Sequence, residues 1–313
     1  MDVFLVTLES ISVLIGMTII GYYLNKRGIL SSNTLSLLSP LALEVSLPCL
    51  IFHTIITNFK PDETPEWWIL PLWWLLFTLI ALILSLTSSL VARRDIRREF
   101  TVSLFYQNAI FIPLAILTNL SSSNSTLYLV TLFIFTMFYG AFFFNTYPFF
   151  LSKRKKIDIK KIFHPVLVST LIAIPLRLFN LHVYIPGFIK IIIDLLGRIS
   201  MPLIMILIGG YIAIDLKNNK GKGFDLIEVS KFVIIKNIIF PLVFLLVLLV
   251  LHPPYHIALV FLLQAAIPPV SAIPIVVERE GGDRYIANQF LVSSFVSSIV
   301  SLPLIMMIFT MVY

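Results

Sequence analysis

Cysteine is almost missing from this 313-residue chain: Cys49 stands alone, so no disulfide within the chain can staple it. Charge is scarce too. Asp, Glu, Lys and Arg make up 12% of residues, 58% are apolar and the mean hydropathy is +0.98, far from the composition of a soluble domain. No H-E-x-x-H, G-x-S-x-G, paired C-x-x-C or G-x-x-x-x-G-K-[ST] occurs. The chain is therefore not read as a zinc or serine hydrolase or a thiol oxidoreductase, and ATP-driven transport would need another subunit. No cofactor and no metal is expected. His252 and His256 flank "PPY", and their four-residue spacing suits a metal only on a helix, which two prolines oppose. The N-terminus "MDVFLVTLESISV" lacks a basic region and carries Glu9, so it reads as a first span rather than a cleaved signal.

What is abundant is long apolar sequence. Runs near 3–23, 35–56, 67–92, 100–118, 126–151, 162–180, 187–214, 231–251, 255–277 and 285–312 predict ten transmembrane helices, most reaching the roughly 20 residues a bilayer requires. The net charge of +7 does not point to nucleic acid, because Lys and Arg cluster between apolar runs instead of along one polar face. "NKRG", "RRDIRR", "KRKKIDIKK", "LKNNKGKG" and "EREGGDR" alternate with "NFKPDETPE", "NLSSSNS" and "LHPPYH". By the positive-inside rule the first set is cytoplasmic, which predicts a multi-pass cell-membrane protein with both termini external. Arg177 and Lys190 weaken the pattern without reversing it. Trp67, Trp68, Trp73 and Trp74 cluster at the external start of the third span, where indole suits the lipid interface.

The prolines carry a second pattern. "VSLPCLI" aligns with "ISMPLIM" through Pro48 and Pro202, "FYQNAIFIP" with "LLQAAIPPV" through Gln107 and Gln264, and "TYPFFL" with "SLPLIM" through Pro148 and Pro303. The shared order and near-constant offset indicate duplication. Residues 1–152 form a first five-helix repeat, 153–161 a basic cytoplasmic linker, and 162–313 a second repeat. Five is odd, so the second copy enters the membrane inverted, the architecture of secondary transporters whose site lies where broken helices meet. The expected fold is all-α: ten transmembrane helices in two inverted repeats, with helices 4 and 9 broken and crossing at Pro113 and at Pro268 and Pro269. Unwound backbone is tolerated there only where protein or a solvated cavity satisfies it.

The runs "LSPLALEVSLPCLIFHTI", "FHPVLVSTLIAIPL", "ISMPLIMILIGGYI" and above all "QAAIPPVSAIPIVVEREGGDRYIANQFLVSSFVSSIVSLPL" resemble the auxin efflux carrier family, which includes plant PIN-type carriers and prokaryotic permeases. The resemblance spans nearly the whole chain. It implies a fold related to bile-acid sodium symporters, with a scaffold region and a mobile transport region. It implies organic anions as substrates, indole acetate in plant members and malate or malonate in some bacterial ones. Relatives that dimerise make a homodimer conceivable and leave this chain's oligomeric state open. By that resemblance Asn108 is the crossover asparagine beside the bound anion, and Pro113 marks the break. This chain departs from the family pattern between them: "NAIFIP" contains no glycine and places the proline five residues on instead of seven. The short "SKRKKIDIKK" loop replaces the long loop of many plant members.

Candidate site residues follow from both lines. Gln107, Asn108 and Pro113 in one break, and Gln264, Ile267, Pro268 and Pro269 in the other, are expected to bind substrate. Glu44 and Arg198 are repeat-equivalent, opposite in sign and deep in apolar sequence, where ionisable groups are rare. Either they pair, or Arg198 holds a carboxylate while Glu44 takes up a proton. Asp194, one turn before Arg198, is a rival partner. Lys236 and Glu9 lie near span ends and are read as snorkelling. Asn145 stands out as the polar group of an aromatic-rich span. The leading reading is a carrier of small organic anions working by alternating access, in the direction of efflux; a sodium-coupled symporter and a ligand sensor or channel on the same fold are the alternatives. Partners are thus the anion and the lipid bilayer, not nucleic acid.

Overall fold

A computed structural model describes residues 3–120, 125–151, 163–218 and 223–313. The basic linker at 153–161 lies outside the described residues. Helices account for all the named elements, which run α1 (Val3–Lys26), α2 (Ser32–Asn58), α3 (Trp67–Val91), α4 (Arg97–Phe105), α5 (Phe111–Asn119) and α6 (Thr126–Leu151), then α7 (Pro165–Leu178), α8 (Gly187–Ile214), α9 (Leu226–Leu251), α10 (Tyr255–Ala266), α11 (Ile273–Arg279) and α12 (Arg284–Val312). Among the described residues seven of these, α1, α2, α3, α6, α8, α9 and α12, are long and apolar enough to cross a membrane. The predicted sixth span is the shorter apolar α7, and the predicted fourth and ninth are helix pairs, α4 with α5 and α10 with α11, separated by non-helical backbone.

Local chemistry explains several irregularities. Ser31 caps α2 by accepting the Thr34 N–H. Wide π turns at Leu41–Ser46 and Ile235–Ile239 each lie just before a proline, Pro48 and Pro241. A proline ring clashes with the carbonyl four residues back. Widening the turn, so that Leu47 N–H reaches Ala42 O and Phe240 N–H reaches Ile235 O, relieves that clash without ending the helix. In α8 the corresponding place breaks instead: helix stops at Arg198 and restarts at Ser200, with Pro202 in the new first turn, where it has no bond to lose.

Two helices are buried on every side over most of their length, α4 from Glu99 to Phe105 and α10 from Ile257 to Ala266; α5 joins them from Phe111 to Leu117. Phe77 of α3, Phe244 of α9 and Phe261 of α10 interlock beneath, with Phe77–Phe244 centroids at 4.6 Å and Phe77–Phe261 at 5.5 Å. By contrast α8 presents Phe188, Ile191, Ile192 and Leu195 outward. Apolar side chains on an outer face, around a core that contains polar groups, fit a multi-pass membrane protein.

Helix α1 packs backbone to backbone against the second part of α8. A Cβ on Gly21 would run into the carbonyl of Ile206, and one on Gly209 into the carbonyl of Thr18. Small residues let membrane helices approach backbone to backbone, where dispersion replaces the missing hydrophobic drive. Gly21→Val or Gly209→Val is therefore expected to cost about 1–3 kcal/mol through overpacking, lowering the melting temperature in detergent by several degrees. Gly16→Val, facing open space, should leave it unchanged.

Candidate functional site

The second break follows directly from its residues. Two consecutive prolines supply no N–H, and Pro268 forces Ile267 into extended backbone (φ −83°, ψ 153°), so α10 stops at Ala266. The first break has no proline within it. Tyr106 is extended (φ −98°, ψ 103°), and Pro113 lies in the first turn of α5, past the interruption. What holds this chain open is its partner: Asn108 N–H donates to Pro268 O and Val270 N–H to Tyr106 O, both at 2.9 Å, pairing Gln107 antiparallel with Pro269.

Side chains satisfy several further polar groups of the crossing. Gln264 Nε2 donates to Ala109 O at 2.7 Å, and its Oε1 accepts from Gln107 Nε2 at 3.3 Å. The Tyr139 hydroxyl donates to Gln107 O. Because Asn108 N–H is drawn away to Pro268, the carbonyl of Leu104 loses its helical partner, and Lys236 Nζ approaches it at 3.4 Å. Lys236 is 1% exposed, with its ammonium 5.0 Å from the Phe240 ring centroid. It does not snorkel, in contrast to the expectation from its position: a cation at the carbonyl end of α4 is favoured by the helix dipole.

On one side of the crossing lies a cavity of about 150 Å³. Its floor comes from both breaks, through Asn108 and Ala109 on one and Val270 and Ser271 on the other; aromatic residues of α6, Leu43 and Leu47 of α2, and Ile204 and Tyr211 of α8 enclose it. Asn108 is 1% exposed, and neither its amide nitrogen nor its amide oxygen has a hydrogen-bond partner. A buried amide left unpaired costs about 1–3 kcal/mol. The first turn of α5, whose leading N–H groups have no helical acceptor, opens onto the same space through Phe111. A wider depression of about 380 Å³ lies beside Glu66, Thr131 and His256, away from the crossing, and contains no such orphaned group among the described residues.

The residues singled out from the sequence thus fall into three sets. Asn108 lines the cavity. Gln107, Gln264, Ile267, Pro268 and Pro269 build the crossing behind it and are buried, while Pro113 is buried in α5. Glu44 and Arg198 do neither. Both are exposed; Arg198 Nε donates to Asp194 Oδ2 at 2.9 Å, and His53 Nδ1 lies 3.5 Å from the other oxygen of Asp194. No Glu44–Arg198 ion pair forms among the described residues, because an acidic partner one turn away on the same helix is already in reach. Asn145 donates to Ala141 O in its own helix. Tyr139, His164 and the Ser39–Tyr211 hydroxyl pair (2.8 Å) line the cavity and were not foreseen. His164, Ser39 and Tyr211 lie in runs that carry the family resemblance and Tyr139 in the aromatic-rich span, but nothing in those stretches singles them out.

Gln264→Leu keeps volume but strands the Ala109 carbonyl and the Gln107 amide. It is expected to destabilise the protein by about 1–3 kcal/mol, read as a lower melting temperature by tryptophan fluorescence, and to do so more than the exposed Arg198→Leu.

No curated protein matches the chain. A family model described as "membrane transport protein" matches residues 6–306, nearly the full length. The chain belongs to this membrane transport family, the auxin efflux carrier type that its motifs resemble.

Proposed function

We propose that the protein is a secondary carrier of small organic anions that works by alternating access around the crossing of the two broken segments. The observation that carries this reading is Asn108, sealed from bulk water with both amide atoms unpartnered and lining a cavity at the crossing. An amide N–H₂ and the N-terminal turn of α5 together favour a carboxylate. No charged side chain other than a titratable histidine lines the cavity, so the anion would be held by dipoles and hydrogen bonds.

The inverted-repeat arrangement is part of the proposal, and the helix contacts support it. The first helix of the first half, α1, packs on α8, the second helix of the second half; α7 packs on α2 in the reciprocal way. Likewise α3 meets α4 as α9 meets α10. Ten spans, cytoplasmic basic loops, external termini in the cell membrane, kinship with bile-acid sodium symporters and movement in the direction of efflux complete the reading. The membrane potential alone would drive an anion out of a negative cell.

The test is flux of a carboxylate panel in proteoliposomes under imposed pH, sodium and voltage gradients. Saturable flux with countertransport is expected, independent of sodium. Asn108→Ala should lower it about tenfold or more, the loss of one hydrogen bond to a charged group. Full activity in Asn108→Ala would refute the site. Glu44→Gln should retain saturable flux, since Glu44 lies outside the cavity wall.

A further inference from the structure

His164 is the side chain in the cavity wall that ordinarily titrates between about pH 5 and pH 8. It occupies the N-cap of α7, where its Nδ1 accepts the Val166 N–H at 3.4 Å. Ser, Thr, Asp and Asn dominate such positions because their short oxygens cap better, so the imidazole is a poor choice for capping alone. The fold nevertheless makes a slot for it. The ring stacks on Phe144, centroids 5.6 Å apart and planes at 20°, and a Cβ on Gly140 would come within 2.9 Å of Nδ1. A neutral imidazole that accepts at Nδ1 carries its hydrogen on Nε2, which is then its donor.

Of the titratable groups on the elements packed around it, Glu44 in the π turn of α2 is the charged one whose field reaches the ring. Tyr139 of α6 and Tyr211 of α8 line the same cavity and stay neutral in this pH range. Cys49 and His53 lie further along α2, and Tyr147 further along α6.

We propose that His164 is a second substrate anchor, so that a carboxylate is held between the Asn108 amide and the His164 ring, more tightly when the ring is protonated. This rests on reading the Asn108 cavity as the transport site. Ser271 lines the same cavity, Ser39 and Tyr211 engage each other, and Phe111, Phe143 and Leu207 add apolar lining.

The experiment is calorimetric binding of indole-3-acetate and of malonate to the purified protein at about pH 5.5 and about pH 7.5. The carboxylate that binds should bind to the wild type about fivefold more tightly at the lower pH, the gain of a charge-assisted over a neutral hydrogen bond. His164→Asn retains a good cap and should keep the affinity at the higher pH while losing the acid gain. Gly140→Ala, which displaces the ring, should also blunt that gain. Persistence of the acid gain in His164→Asn, with Asn108→Ala losing binding at both pH values, overturns the role of His164 alone. Unchanged binding in Asn108→Ala, or no binding of either probe to the wild type, overturns the site reading beneath it.

Discussion

Backbone amides and carbonyls that leave a helix inside hydrocarbon need a protein partner, since no water is present to take them. The whole centre of this molecule is arranged around that requirement. Two interrupted segments lie antiparallel and satisfy each other through Asn108 N–H to Pro268 O and Val270 N–H to Tyr106 O. Side chains from elsewhere close the rest: Gln264 from α10, Tyr139 from α6 and Lys236 from α9 each reach a carbonyl that the break has released. The burial of α4, α5 and α10 then follows, because groups satisfied in this way must be shielded on all sides.

Against that background the Asn108 side chain is left unsatisfied at the crossing itself, beside the cavity. Its backbone N–H is committed to Pro268 O, and neither segment supplies a partner for its amide. A solute carboxylate placed there would accept from the Asn108 amide nitrogen, and its removal would reopen a deficit of about 1–3 kcal/mol. That is a natural energetic link between occupancy and the balance of two conformations.

Different features were legible in the sequence for different physical reasons. Pro268 and Pro269 stood out because a proline pair stops a helix by itself, and Gln107 and Gln264 because amides are rare in apolar runs; both pairs build the crossing. The first break was harder to place, since no local residue causes it and Pro113 lies beyond it in a tolerant first turn. Lys236 looked like a span-end lysine, yet its partner, Leu104 O, is remote in sequence and released only by the break. The Glu44 and Arg198 symmetry misled for the opposite reason: equivalence in a repeat does not bring two side chains together, and Asp194 was nearer. His164 stood in a quoted run, yet its place in the cavity wall was not legible because its slot is made by Gly140 and Phe144 of another helix.

The mutual pairing of the two breaks also orders the birth of the protein. As the chain leaves the ribosome, Tyr106 and Ala109 reach the lipid long before Val270 and Gln264 have been made. Until then the segment around residues 106–110 has no reason to stay interrupted, and its amides are best served by a provisional continuous helix or by chaperoning at the insertion machinery. Maturation of the early half is thus completed only by the arrival of residues 264–270, so truncation anywhere before them leaves a nascent product that quality control should recognise and clear.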